Sequence, residues 1–193
     1  RVCRRTGGLS LGRVGVPACA SAWFHGAMAI EHDFFGLLES GPDGSIFWSE
    51  NVEVGDLQVT VDLTAPDQDG VSIEALDRAA GLVASLDGID RVCRDAMLAE
   101  VDDRASEVTE YILQQQTVLG DELESLLVDV SGDPAVDIIR SLQLMSMTIL
   151  ADELGSSDPF AVLEYALDPD VADDVLLVNI DSGGEVLSVT SAE

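Results

Sequence analysis

The chain has no lysine, and its nine basic residues are all arginine. Against them stand 37 acids, for a net charge of −28 at neutral pH. A surface of that sign repels nucleic acid phosphates and anionic lipid headgroups, so neither is an expected partner. It favours basic proteins or cations. The same composition also suits a high-salt solvent or a GC-rich coding sequence. Histidine is almost missing, with His25 and His32 the only two. There is no H-x-x-x-H or H-x-x-E-H pair to hold zinc, and no second anchored imidazole for a nucleophilic triad. Cysteine is as scarce: of Cys3, Cys19 and Cys93, only the last falls in the acidic part of the chain. That excludes a disulfide framework there, and Cys93 reads as a small buried hydrophobe. No apolar run is long enough to cross a bilayer.

Charge is unevenly placed. Residues 1–27 hold Arg1, Arg4, Arg5 and Arg13 and no acid, are Gly-rich, and show no period. At Met28 the composition turns abruptly acidic and patterned. This predicts a disordered leader over 1–27, upstream of a native start at Met28, and a single acidic domain over 28–193. The rival reading of the leader is a secretory signal, with Ala18-Cys19-Ala20 as a cleavage site, although Arg13 and Pro17 interrupt its apolar part.

The rest reads as strands, then helices, then strands. Ile30–Leu38 is apolar and reads as a strand or a short helical turn. Ser45–Glu53 follows the turn Gly41-Pro42-Asp43-Gly44, with Ile46 and Trp48 on one alternate face. Leu57–Leu63 alternates strictly, the pattern of a half-buried strand. Ser72 is placed to cap a helix running to about Leu86. Asp90 starts a longer one reaching Gln116, with Leu98, Val101, Ala105, Val108 and Ile112 along one side. A short helix over Asp121–Val128 follows, then another after Asp133-Pro134, where proline suits the first helical position. Leu142–Leu150 is predicted as a strand that puts Leu144, Ser146, Thr148 and Leu150 on one face and Met145, Met147 and Ile149 on the other. Ala161–Leu167, Asp174–Ile180 and Glu185–Val189 are three more, the last two joined by Asp181-Ser182-Gly183-Gly184. The expected fold is α+β, an antiparallel sheet of N-terminal and C-terminal strands packed against a central run of helices.

No residue set points to catalysis, a cofactor or a metal. His32-Asp33 is the most suggestive pair, but a packed or capping role explains it better than metal binding. Asp67-Gln68-Asp69-Gly70 has part of a calcium loop, yet Leu76 stands where the bidentate Glu belongs. Asp102-Asp103 and Asp173-Asp174 read as solvated acids. Trp48, Phe34, Phe35 and Tyr165 are expected in the core or at its edge, and two of them exposed together would mark an interaction patch. The candidate interaction surface is the acidic side of the long helix: Glu100, Asp103, Glu107 and Glu110. Such a face can mimic phosphates and occupy a basic groove.

Three stretches together resemble a family of small bacterial proteins, domain of unknown function two thousand and four. They are His32-Asp33-Phe34-Phe35-Gly36 with Trp48 downstream, Leu142–Ile149 leading to Ala161-Val162-Leu163-Glu164-Tyr165, and Asp168-Pro169 followed by Asp174-Val175-Leu176-Leu177-Val178. The resemblance implies a bacterial α+β domain and carries no catalytic residues. The expectation is a cytoplasmic, non-enzymatic protein that binds a basic protein, as immunity proteins and antitoxins do. The alternative is an enzyme or small-ligand-binding protein whose site forms only in three dimensions.

Overall fold

The structure, a computed structural model, describes residues 29–128, 131–151, 159–168 and 174–192. The leader expected over 1–27 lies outside them, as do most of the loop expected between Ala151 and Pro159 and the acid Asp173.

The segment Ile30–Leu38 folds as a hairpin, β1 (Ala29–His32) against β2 (Gly36–Glu39). Next come β3 (Ile46–Val54) and β4 (Leu57–Ala65), then the helices, then β5 (Gln143–Leu150), β6 (Ala161–Ala166), β7 (Val175–Ile180) and β8 (Val186–Ala192). Strands β3 to β8 form one six-stranded sheet in chain order. Every join in it is antiparallel except β4–β5, which is parallel. The exception follows from the connection: among the described residues the helices all lie between these two strands, and a long crossover returns the chain to the end where β4 began. The α+β architecture is as expected, with helices bridging strands from both ends of the chain.

Ser72 caps α1 (Ile73–Ala84), its hydroxyl accepting from the Ala75 amide at 3.0 Å. Ser85 then ends α1 and leads directly into α2 (Leu86–Glu100), so Asp87-Gly88 is helix and not its end. The long helix expected from Asp90 to Gln116 is two helices. After α2 the chain turns over 101–106, and α3 (Glu107–Leu119) begins at Ser106. Short polar side chains cause the break by competing for backbone amides. Asp103 accepts from the Ala105 amide at 2.9 Å, and Ser106 from the Val108 amide at 3.0 Å. The apolar period runs through this break in the sequence, but Ala105 is exposed. A turn over Gly120–Glu122, α4 (Leu123–Leu126) and α5 (Pro134–Ser141, capped by Asp133) complete the layer.

Alternation divides the sheet into two faces. Trp48, Leu63, Ile149, Ala161, Ile180 and Val186 are neighbours in one row across all six strands. This face and the helices share one hydrophobic core. The adjacent row on the other face is Ser49, Asp62, Thr148, Val162, Asn179 and Ser188, small and mostly polar. In β5 the faces are not those expected. A register shift between Leu144 and Ser146 inserts Met145 as an extra residue. Leu144 is therefore buried together with Met147 and Ile149, while Ser146 and Thr148 face the polar side.

Candidate interaction site

The hairpin β1–β2 is held by His32. Its Nδ1 accepts from the Phe34 and Phe35 amides at 3.2 and 3.4 Å. That leaves Nε2 to carry the proton and donate to Asp77 of α1 at 3.2 Å. Asp77, 45 residues away in the chain, is the partner of this imidazole. Asp33, its sequence neighbour, is exposed. Both ring nitrogens serve the fold, as a turn cap and a tie to α1.

The clamp positions two phenylalanines. Phe35 is buried and meets Trp48 edge-on, with centroids 4.8 Å apart at 84°. Phe34 stacks edge-on against Phe35 at 4.9 Å, lies 6.5 Å from Trp48, and is 47% exposed. Phe34 and Trp48 both line a cleft of about 490 Å³ between β3 and the corner where α1 meets α2. Its apolar part is completed by Val52, Val54, Val83, Ala84 and Leu86. Its polar part among the described residues is Glu50, Asn51, Glu53 and Asp87: three carboxylates and no arginine.

The four acids expected on one helix side do not share one. Glu100 ends α2, Asp103 lies in the turn, and Glu107 and Glu110 open α3. Three of them are engaged within the fold. Glu100 accepts from the Ser106 hydroxyl at 2.5 Å. Asp103 holds the turn as described. Glu107 accepts from the Ser191 amide at 2.6 Å and its hydroxyl at 3.2 Å, pinning α3 to β8. Glu107 and Glu110 line a second cleft, about 390 Å³, with Tyr111, Gln114, Asp174 and Ser191. Asp174, expected to be merely solvated, accepts from Gln114 at 2.8 Å and from Gln115 at 3.4 Å. Asp67 accepts from the Gly70 amide at 2.8 Å, a turn contact.

Cys93 is buried on α2 beside Tyr165 of β6. Burial pushes its thiol up to about 11, so at neutral pH it is a protonated core residue, as expected, and not a thiolate nucleophile. Burial, and then the neighbouring Cys93 and Asp90, push the Tyr165 hydroxyl up as well. Arg94 closes this cluster. Its Nε donates to both Asp90 oxygens at 3.1 and 2.9 Å, Nη1 donates to the Ile139 carbonyl at 3.2 Å, and the guanidinium lies 5.5 Å from the Tyr165 ring centre.

No helix among the described residues is long and apolar enough to cross a membrane. No family model matches the chain, and no curated protein or solved structure does either. Sequence reasoning passed over Asp77, and over Glu50, Glu53 and Asp87 as a group. Glu50 and Glu53 were visible as charges inside an aromatic-bearing strand, but nothing in the chain placed Asp87 opposite them.

Proposed function

We propose that this is a non-enzymatic bacterial protein of the cytoplasm that acts by binding a basic protein, in the manner of an immunity protein or antitoxin. One observation carries the reading: an exposed Phe34 and a half-buried Trp48 line a cleft whose charged residues, among those described, are three carboxylates. Aromatic anchors in a partly apolar cleft are the usual source of binding energy at protein interfaces. Carboxylates at the edge add orientation and a fast, salt-sensitive encounter. The acids of α2 and α3 have a smaller part in this reading, because three of the four already serve internal contacts. The cleft's size also falls in the range that takes small molecules, about 300–1,000 Å³, which keeps a small cationic ligand as the second reading.

The test is capture from a bacterial lysate by three baits: the full chain, the triple variant Glu50→Gln/Glu53→Gln/Asp87→Asn, and Glu110→Gln. The reading expects a basic protein, released by salt, that the wild type and Glu110→Gln hold and the triple variant loses. That protein, purified, must bind the wild type in isolation. Capture indifferent to the triple substitution contradicts it.

A further inference from the structure

The cleft runs along the free edge of β3. Five consecutive residues, Glu50 to Val54, line it. Side chains on a strand alternate between faces, so a cleft lying on one face would meet only every second residue. A cleft that meets all five lies against the strand's edge, where the backbone itself is presented.

That edge is open. β3 ends the strand order, and among the described residues its only further strand pairing is the single bridge Ser40–Ile46. It is also well formed. β3 has nine residues paired with β4 in nine unbroken steps, against a typical strand of about 5–6. It contains no proline and no bulge, two of the devices that usually blunt an edge. The opposite edge differs. β8 has a register shift near its start, and the Ser191 amide is taken by Glu107 of α3.

Charge selects what the β3 edge accepts. Glu50 ends the apolar row Val61, Met147, Leu163, Val178 and Val189 on the helix-covered face. Glu53, an odd number of residues on, belongs to the opposite face. A second copy of β3 would bring like charges together, which disfavours edge-to-edge pairing of this chain with itself. An added strand with a cation opposite each carboxylate is favoured on both faces.

We propose that the partner binds as an extended basic segment that adds to the sheet at β3, with cationic side chains across from Glu50 and Glu53 and an apolar one over Trp48. This rests on the basic-partner reading and specifies how it is realised. Such strand addition takes affinity from main-chain hydrogen bonds and specificity from alternate side chains.

The probe is a peptide of nine residues, the length of β3, of alternating valine and threonine with two arginines three positions apart. Two further versions are N-methylated on alternate amides, one in each phase. Binding to the full chain is followed by amide hydrogen exchange. The expected result is slowed exchange in β3 with β8 unchanged. One methylated phase should lose about tenfold or more in affinity while the other binds as the parent does, because an added strand uses one edge only. Equal behaviour of the two phases, or protection elsewhere than β3, overturns the inference and leaves the basic-partner reading standing. Absence of peptide binding also overturns it, and if the triple variant captures as the wild type does, the basic-partner reading falls as well.

Discussion

Cys93 and Tyr111 show how single residues take their chemistry from burial. Burial pushes the Cys93 thiol up to about 11 and the Tyr111 hydroxyl up to about 12, from ordinary values of 9.0 and 10.0. Both groups keep their protons in the folded chain at pH values where the unfolded chain has lost them. Their contribution to stability is therefore complete below 9.0 and 10.0 respectively, and is lost as pH rises toward 11 and 12. The urea midpoint should fall steadily above pH 9, and Cys93→Ala should lack the first part of that decline. A midpoint flat to pH 11 would contradict the burial of both groups. At this scale the sequence was uneven in what it showed. Ser72 was legible as a cap because its partner amide is three residues away. Cys93 was legible because its neighbours recur at helical spacing. The role of His32 was only half legible. Its capping of Phe34 and Phe35 is local, but its other partner, Asp77, lies on another element.

Among the elements, local signals and tertiary ones compete. The strands were readable by alternation, and β4 keeps its pattern throughout, with Val59, Val61, Leu63 and Ala65 all buried. β5 does not, since the extra Met145 changes which residues face the helices. The extra residue is defined only by its pairing with β6, so alternation within β5 does not reveal it. The α2–α3 break was missed for the opposite reason. Apolar residues happen to keep a helical period across it, while Asp103 and Ser106, whose side chains make the turn, resemble ordinary surface residues. The β7–β8 turn was read correctly from its glycines. Gly184 adopts φ 83° there, and a Cβ at that position would stand 3.5 Å from Leu82 of α1 and 3.6 Å from Ile89 of α2. The space is ordinary contact, so the cost of a side chain is the left-handed backbone. Gly184→Ala should lower unfolding free energy by about 1 kcal/mol, measured in urea. No loss at all would mean that the turn relaxes to another conformation.

For the whole molecule the governing fact is charge. The 37 acids face nine arginines, and all of those acids fall within 28–193. Two of the arginines there, Arg78 and Arg94, pair with acids one helical turn away and neutralise little of the remaining field. The surplus extends beyond the cleft, so charge alone does not locate a site. What distinguishes the cleft is the combination of carboxylates with exposed aromatic surface and an open strand edge. The α+β class was legible from the order of patterned segments, because strands from both ends must share a sheet to bury their apolar faces. The cleft was not, since it joins β3 to the α1–α2 corner and to a hairpin turn, three segments whose juxtaposition is a product of the sheet topology.

The most direct test of a basic segment held at this cleft is calorimetric titration of the arginine-bearing peptide into the full chain and into Glu50→Gln/Glu53→Gln/Asp87→Asn. It would be run at low salt and again near physiological ionic strength, where charges are screened beyond about 8 Å. The account expects binding that weakens with salt and falls about tenfold or more in the triple variant. Equal affinity of the two proteins, or affinity unmoved by salt, would contradict it.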